Sequence, residues 1–222
     1  MSALRAAIAC ALIGATATAT ATATAPKKTA PVDLDALLNQ FAKAPGLAAH
    51  FREEKHIALL DAPVINEGTI AFMPPARFAR HTEKPIASTL LIDNGRLQFG
   101  DADGKQSMEL GTNPVAKLFV DSFVMILAGD RKGLERVFTI KVAKPTAGGG
   151  GADAWRVALT PRVSPMDKVI RELTLSGVGL ALRELEVRES SGDWSRTTFT
   201  DIDVNHRYTP AEQERVFRLP SR

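Results

Sequence analysis

From residue 66 to residue 99, apolar and polar positions alternate in four short runs, each ended by a turn signal. Gly68, Ile70 and Phe72 share one face of the first run, and Met73-Pro74-Pro75 stops it, because proline offers no N–H to a strand ladder. Arg77 to His81 predicts a second strand, broken at Lys84-Pro85. Ser88 to Ile92 predicts a third. Asp93-Asn94-Gly95 then tolerates the positive φ angles of a tight hairpin, and Arg96 to Phe99 returns with Leu97 and Phe99 on one face. The stretch predicts a meander with an apolar face and a charged face.

The same periodicities place the other elements. Asp33 sits at an N-cap position, and Leu34, Leu37, Leu38 and Phe41 follow at helical spacing until Pro45-Gly46. From Ala49 to Ile57 the residues alternate as a strand, and its many charges predict a largely solvated one. Ser107 to Leu110 predicts a further short strand. Asn113-Pro114 then opens a helix running to Gly129, interrupted in its apolar character only by Lys117, Asp121 and Ser122. A helix apolar on nearly all sides must be covered on more than one of them. At about 14 residues it is too short to span a bilayer. Arg131 to Val137 predicts a helical turn. Strands follow at Phe138 to Val142, Ala154 to Thr160, Val169 to Ser176, Ala181 to Arg188 and Thr197 to Val204, with a glycine-rich hairpin tip at Gly148 to Gly151 and a capped turn at Thr209 to Glu212. The expected fold is mainly β with helices (α+β), with roughly ten or eleven antiparallel strands.

Composition adds a compartment. Arg5, an apolar run from Ala6 to Ala15 and Ala-x-Ala steps have the form of a cleaved secretory signal peptide over residues 1–23, with a flexible leader at 24–31 and a single domain at 32–222. An amino-terminal membrane anchor is the alternative; the run is short for it. Removing the signal also removes Cys10, the only cysteine, so no disulfide is expected. A formal net charge of +3 in 222 residues gives no reason to expect nucleic acid as a partner.

Catalytic chemistry is hard to find. His50, Glu54 and His56 share a strand face, but alternate residues lie about 6.8 Å apart there, too far to wrap one metal ion. Asp101-Ala102-Asp103-Gly104 lacks the remaining ligands of a calcium loop. No nucleophile elbow, phosphate loop or dinucleotide fingerprint is present. Glu184, Glu186, Asp201 and Asp203 are the one carboxylate set that can face across adjacent strands as an acid–base pair. Alternating charges on the wet face of antiparallel strands account for them more simply.

Apolar surface is plentiful. Phe51, Ile70, Phe72, Phe78, Leu91, Leu97, Phe99 and Met108 are expected along one side of a curved sheet, covered by Leu118, Phe119, Phe123, Met125 and Ile126. Two readings fit: an ordinary core, or a cavity for a lipid chain closed by a helix.

In order and spacing, the early helix, the His50 to Lys55 strand, the Gly68 to Phe99 meander with "I-D-N-G-R-L-Q-F", the Asn113-x-opened apolar helix and the terminal "F-R-L-P" resemble the periplasmic lipoprotein-carrier family, LolA and its LolB-like relatives. The resemblance implies an incomplete antiparallel β-barrel with a helical lid over a hydrophobic cavity. It also implies a periplasmic, non-enzymatic monomer without cofactor. Such a carrier takes an acylated lipoprotein, or another lipid-like cargo, from an inner-membrane export complex to an outer-membrane receptor. Pro74 stands where family carriers often have the basic residue that ties the lid, which leaves Arg77 and Arg80 as the nearby candidates for a latch. The end at Arg222, without a further strand, implies a divergent branch. A lipid-binding regulatory module and a hydrolase using the strand carboxylates are the alternatives. Burying about ten methylenes contributes about 8 kcal/mol, near micromolar affinity, so a carrier that must release its cargo is expected to cover only part of it. The segment Val115 to Ala128 is expected to move, with Phe119 and Phe123 towards the ligand.

Overall fold

The structure is a computed structural model that describes residues 33–143, 154–179 and 181–219, all within one unit spanning Pro31–Arg222. The expected signal peptide, leader and glycine-rich tip lie outside the described residues, as do the side chains of residues 115, 116, 119 and 143.

Eleven strands form one antiparallel sheet. The first six are β1 (Leu47–His56), β2 (Val64–Met73), β3 (Arg77–Lys84), β4 (Ser88–Asp93), β5 (Arg96–Asp101) and β6 (Lys105–Glu109). The rest are β7 (Phe138–Ala143), β8 (Ala154–Pro161), β9 (Ile170–Val178), β10 (Ala181–Glu189) and β11 (Trp194–Asp203). Their spatial order is β6-β5-β4-β3-β2-β1-β11-β10-β9-β8-β7. The chain starts at the centre, meanders to one edge, crosses to the other edge through helices, and meanders back to pair β11 with β1. The edges β6 and β7 do not meet, so the barrel is incomplete.

This topology corrects the expectation that the first strand is largely solvated. β1 pairs on both sides, with β2 and β11, and Leu47, Ala49 and Phe51 are buried. Its charges alternate with the apolar set at the start of the strand and dominate both faces only towards its end.

Register assigns the two faces. Phe72, Phe78, Ile92, Leu97 and Met108 stand opposite one another in successive strands and share the inner face. Ala71, Ala79, Leu91 and Gln98 form the next row, on the outer face. Leu91 therefore points away from the side expected of it. It packs instead with Ala71, Ala79 and Phe217 beneath a carboxy-terminal helix, α5 (Pro210–Val216). The helix begins with a capping box between Thr209 and Glu212 and is held by Tyr208, whose hydroxyl donates to the Leu47 carbonyl at 2.7 Å. It also meets His81, whose Nε2 lies 2.8 Å from the Val216 carbonyl.

The crossing helices cover the inner face. A 3₁₀ turn (Leu110–Thr112) leads into α2 (Pro114–Leu127), then α3 (Arg131–Val137) leads into β7; a single turn, α4 (Met166–Val169), which the sequence pattern did not reveal, joins β8 to β9. The first helix, α1 (Leu34–Phe41), places all four of its spaced apolar residues in the same core. Its approach to the end of α2 requires Gly129. There φ is +68°, and a Cβ would lie 2.4 Å from the Leu38 carbonyl oxygen. Gly129→Ala is expected to destabilise the fold by about 3 kcal/mol, combining left-handed backbone strain with a backbone clash. Urea unfolding measures this, and a loss under about 1 kcal/mol would show that α1 seats independently of Gly129.

Candidate functional site

The inner face holds one large apolar cluster that joins helices and both wings of the sheet. Phe51, Ile70 and Phe72 from β1 and β2 belong to it, with Ile126 and Leu127 of α2, Leu134 of α3, and Trp155, Leu159, Met166 and Leu175 of the second wing. Phe78, Leu118, Phe123 and Met125 pack against it half-buried, and Phe78 meets Phe123 edge-on at 5.2 Å between ring centres. Leu97 and Phe78 border a smaller cluster of Ile92, Leu110 and Val120, by which α2 covers β4 and β5. Phe99 is half-buried opposite Leu90, and Met108, on the free edge strand, is 41% exposed. The side chain of Phe119 lies outside the described residues. The structure thus gathers most of the expected apolar set on one face. Leu91 faces the other way because the outer face has its own cover in α5.

A small, partly open cavity lies away from the first-wing meander. It is lined wholly by apolar groups: Leu34, Leu37, Leu38 and Phe41 of α1, Ile126 and Leu134, and Ile140, Trp155, Val157, Leu159 and Leu175 of β7 to β9. Only Ile126 was singled out from sequence. The spaced leucines of α1 were legible as a buried face, whereas their partners on β7 to β9 are more than 100 residues away and carried no signal of pairing with them. The cavity measures about 20 Å³, little more than one water needs. Seating a longer apolar chain there requires α1 to move outward from the sheet.

What holds α1 in place is partly ionic. Asp35 accepts from Arg131 Nη1 at 2.5 Å, and Arg131 Nε also donates to Glu135 at 2.8 Å. The hydrogen bond from Arg131, helped by its charge, holds the Asp35 carboxyl below the usual aspartate value. Its stabilising part is present above the ordinary aspartate range and is lost only as pH falls below it. The tether is exposed, hence weak and screened by salt.

Arg77 and Arg80, the latch candidates, point in opposite directions. Arg77 lies on the outer face, with Nε 3.2 Å from Asp93 Oδ2, Nη1 donating to Gln213 at 3.3 Å, and its guanidinium 4.7 Å from the Phe217 ring centre. It fastens α5. Arg80 lies on the inner face, where its Nη2 donates to Glu53 at 2.8 Å and its guanidinium sits 4.3 Å over the Phe51 ring. Asn66 Nδ2 also donates to Glu53, at 2.9 Å. Burial pushes the Glu53 carboxyl up, but the hydrogen bond and charge of Arg80, the Asn66 amide and the Lys55 charge outweigh it and hold the value below the usual glutamate range. The inner face therefore has an apolar region against α1 and α2 and a polar patch on the lower part of β1 to β3.

Glu184, Glu186 and Asp203 are taken up by basic partners. Register sets Glu186 opposite Arg196 and Glu184 opposite Thr198. Glu186, 5% exposed, is bridged by Arg188 at 2.6 Å and Arg196 at 3.5 Å, and Asp203 meets His206. Of the histidines, His56 stacks on Trp194 with ring centres 3.9 Å apart. Among the described residues no three His, Cys, Asp or Glu side chains gather as a metal site, and no helix is long and apolar enough to cross a membrane.

An open antiparallel sheet around an apolar interior, with helices where the barrel wall is missing, is an incomplete β-barrel of the α+β class. The chain belongs to the family of outer membrane lipoprotein carrier LolA-like proteins, whose sequence pattern matches residues 12–208. A solved structure shares the architecture. The complex of MucA and MucB from Pseudomonas aeruginosa is similar at 15% identity and a TM-score of 0.50, over 82% of this chain and 61% of that one. A LolA superfamily protein from Nitrosomonas europaea is similar at 11% identity and a TM-score of 0.43, over 85% of this chain and 98% of that one. No curated protein matches the chain by sequence alone.

Removing Arg80 tests the polar patch. Arg80→Met leaves Glu53 buried without its cation and is expected to cost about 2–3 kcal/mol at neutral pH, below the range for fully buried pairs because both side chains keep some exposure. The Glu53 carboxyl then rises above the ordinary glutamate value, so the loss shrinks as pH falls through that raised value. Urea unfolding at neutral and acid pH reads this; a loss independent of pH would assign the cost to packing over Phe51.

Proposed function

We propose that the protein is an extracytoplasmic, non-enzymatic carrier that binds an acyl chain of a lipoprotein, or of a related lipid, and shields part of it between inner and outer membranes. The observation that carries this reading is the wholly apolar cavity between α1 and β7 to β9, beneath a helix whose ionic tether is exposed. Membership of the lipoprotein-carrier family supports the cargo class, and the signal-like segment at residues 1–23 supports the compartment. An inner-membrane export complex as donor, an outer-membrane receptor as acceptor, and a monomeric working state belong to the same reading. The cavity is too small for an acyl chain, so loading means displacing α1, with α2 beside it through Ile126 and Leu127. Phe123, edge-on to Phe78, opposes this motion.

The hydrolase alternative loses its main support, because Glu184 and Glu186 are held by arginines on the outer face.

Organic extraction of protein purified from the cell envelope, followed by mass spectrometry, is expected to return about one acylated molecule per chain. Arg131→Ala is expected to exchange a fluorescent fatty acid several-fold faster than the unchanged protein, with added salt narrowing the difference. Protein free of lipid that also takes up none in solution would contradict the carrier reading.

A further inference from the structure

Large apolar side chains at the surface are not spread evenly. Among the described residues, Leu59 is 93% exposed, Leu60 52% and Ile86 70%. Leu59 and Leu60 form the tip of the β1–β2 turn, and Ile86 follows Pro85 in the β3–β4 turn. The antiparallel order puts these two tips side by side at one end of the sheet, about 10 Å apart across two strand spacings. The β10–β11 turn flanks them, and Val169, 38% exposed, lies at the same end, its carbonyl accepting from the Ser190 N–H at 2.9 Å. Towards the opposite end, Val178 is 40% exposed, and Met108 and Val142 on the two edge strands are each 41% exposed, all below the three tip residues.

The leucine tip is braced. The Ala58 N–H donates to Asp193 Oδ1 at 2.9 Å, and the Leu60 N–H donates to the Ile57 carbonyl at 2.9 Å. Directly behind it, His56 lies flat on Trp194, with the rings within 10° of parallel. Such a tip–aromatic arrangement has apolar groups outermost and an amphipathic ring one layer back, the order that a bilayer surface presents in reverse. At the same end, Lys84 closes β3 and Lys168 lies in α4, with side chains 73% and 75% exposed; each pairs with a carboxylate, Glu67 and Asp167, and their stems can still lie along acyl chains. Asp61 and Glu83 lie among them, so no single charge sign dominates the rim.

We infer that this end docks on a lipid bilayer, with Leu59, Leu60 and Ile86 entering the acyl boundary and Trp194 at headgroup depth. Protruding tips separated by polar backbone fit a deformable lipid surface, whereas a protein partner would need a separate pocket for each. The mixed charges fit a zwitterionic surface. Contact rests on apolar burial, so it persists in 1 M salt, where the Debye length is about 3 Å. Docking would serve the carrier reading but does not depend on it, because bare vesicles test it without cargo.

Two tryptophans make the test specific. Trp155 is 3% exposed and donates its Nε1 proton to the Gly179 carbonyl, so it stays out of reach of lipid, whereas Trp194 lies beside the rim. Phosphatidylcholine vesicles with brominated acyl chains are expected to quench part of the emission of the full chain, in low and high salt alike. In a Leu59→Ser, Leu60→Ser, Ile86→Ser variant the lipid concentration for half-maximal quenching should rise about tenfold or more. The substituted side chains are exposed, so circular dichroism should be unchanged; Leu59→Trp, which puts a reporter at the tip, should be quenched more strongly than the unchanged protein. Absence of quenching in the unchanged protein, equal quenching in the triple variant, or loss of a protein complex in that variant with quenching unaltered would each overturn bilayer docking.

Discussion

An eleven-stranded antiparallel sheet that curves without closing leaves one concave face that water must not reach and two edges that pair with no other strand among the described residues. Removing that apolar face from solvent is the constraint on which the other features depend. Only helices can cover it from within the same chain, because their backbone groups are already satisfied while their side chains fill the gap. The crossing from β6 to β7 supplies α2 and α3, and the segment ahead of β1 supplies α1. The two kinds of cover differ in how they are held. α2 is built into the chain between the edges and meets both wings. Among the described residues, α1 is held by its four apolar residues, the close approach at Gly129 and the Asp35–Arg131 pair.

This difference connects packing to function. A cover fixed everywhere makes an ordinary core, and one fixed nowhere does not fold. Here the smallest, least connected cover lies over a cavity whose lining is apolar throughout, and the polar patch of Arg80, Glu53 and Asn66 lies on the same concave face. The concave face is thus graded from apolar to charged, which suits a cargo with an acyl end and a polar end. The outer face does different work. Arg77, His81 and Tyr208 bind α5 there, and Glu186 sits between two arginines, so these charged groups are committed to holding the sheet.

Much of the fold was legible in the sequence because turn residues and alternation act locally. Pro74-Pro75, Asn94-Gly95 and the Thr209 to Glu212 box marked boundaries correctly from neighbouring residues alone. Face assignment failed where a run is apolar at consecutive positions. In Leu90-Leu91-Ile92 either phase of alternation is plausible, and the choice is made by Phe217, more than 120 residues later, which covers Leu91 from outside. The choice between Arg77 and Arg80 has the same origin, since an odd offset along one strand sends them to opposite faces. The cavity was missed for a related reason. The leucines of α1 showed that a face is buried, but its partner is fixed by the crossing that brings β7 to β9 beneath it.

The central claim is that an acyl chain enters between α1 and the second wing. A fatty acid with a photoreactive diazirine near its methyl end, irradiated with the protein and mapped by peptide mass spectrometry, reports this directly. The account predicts adducts on α1 and on β7 to β9, at residues such as Leu37, Leu38, Phe41, Leu159 and Leu175. Adducts confined to the first wing around Phe78 and Leu97, or to the exposed rim, would contradict it.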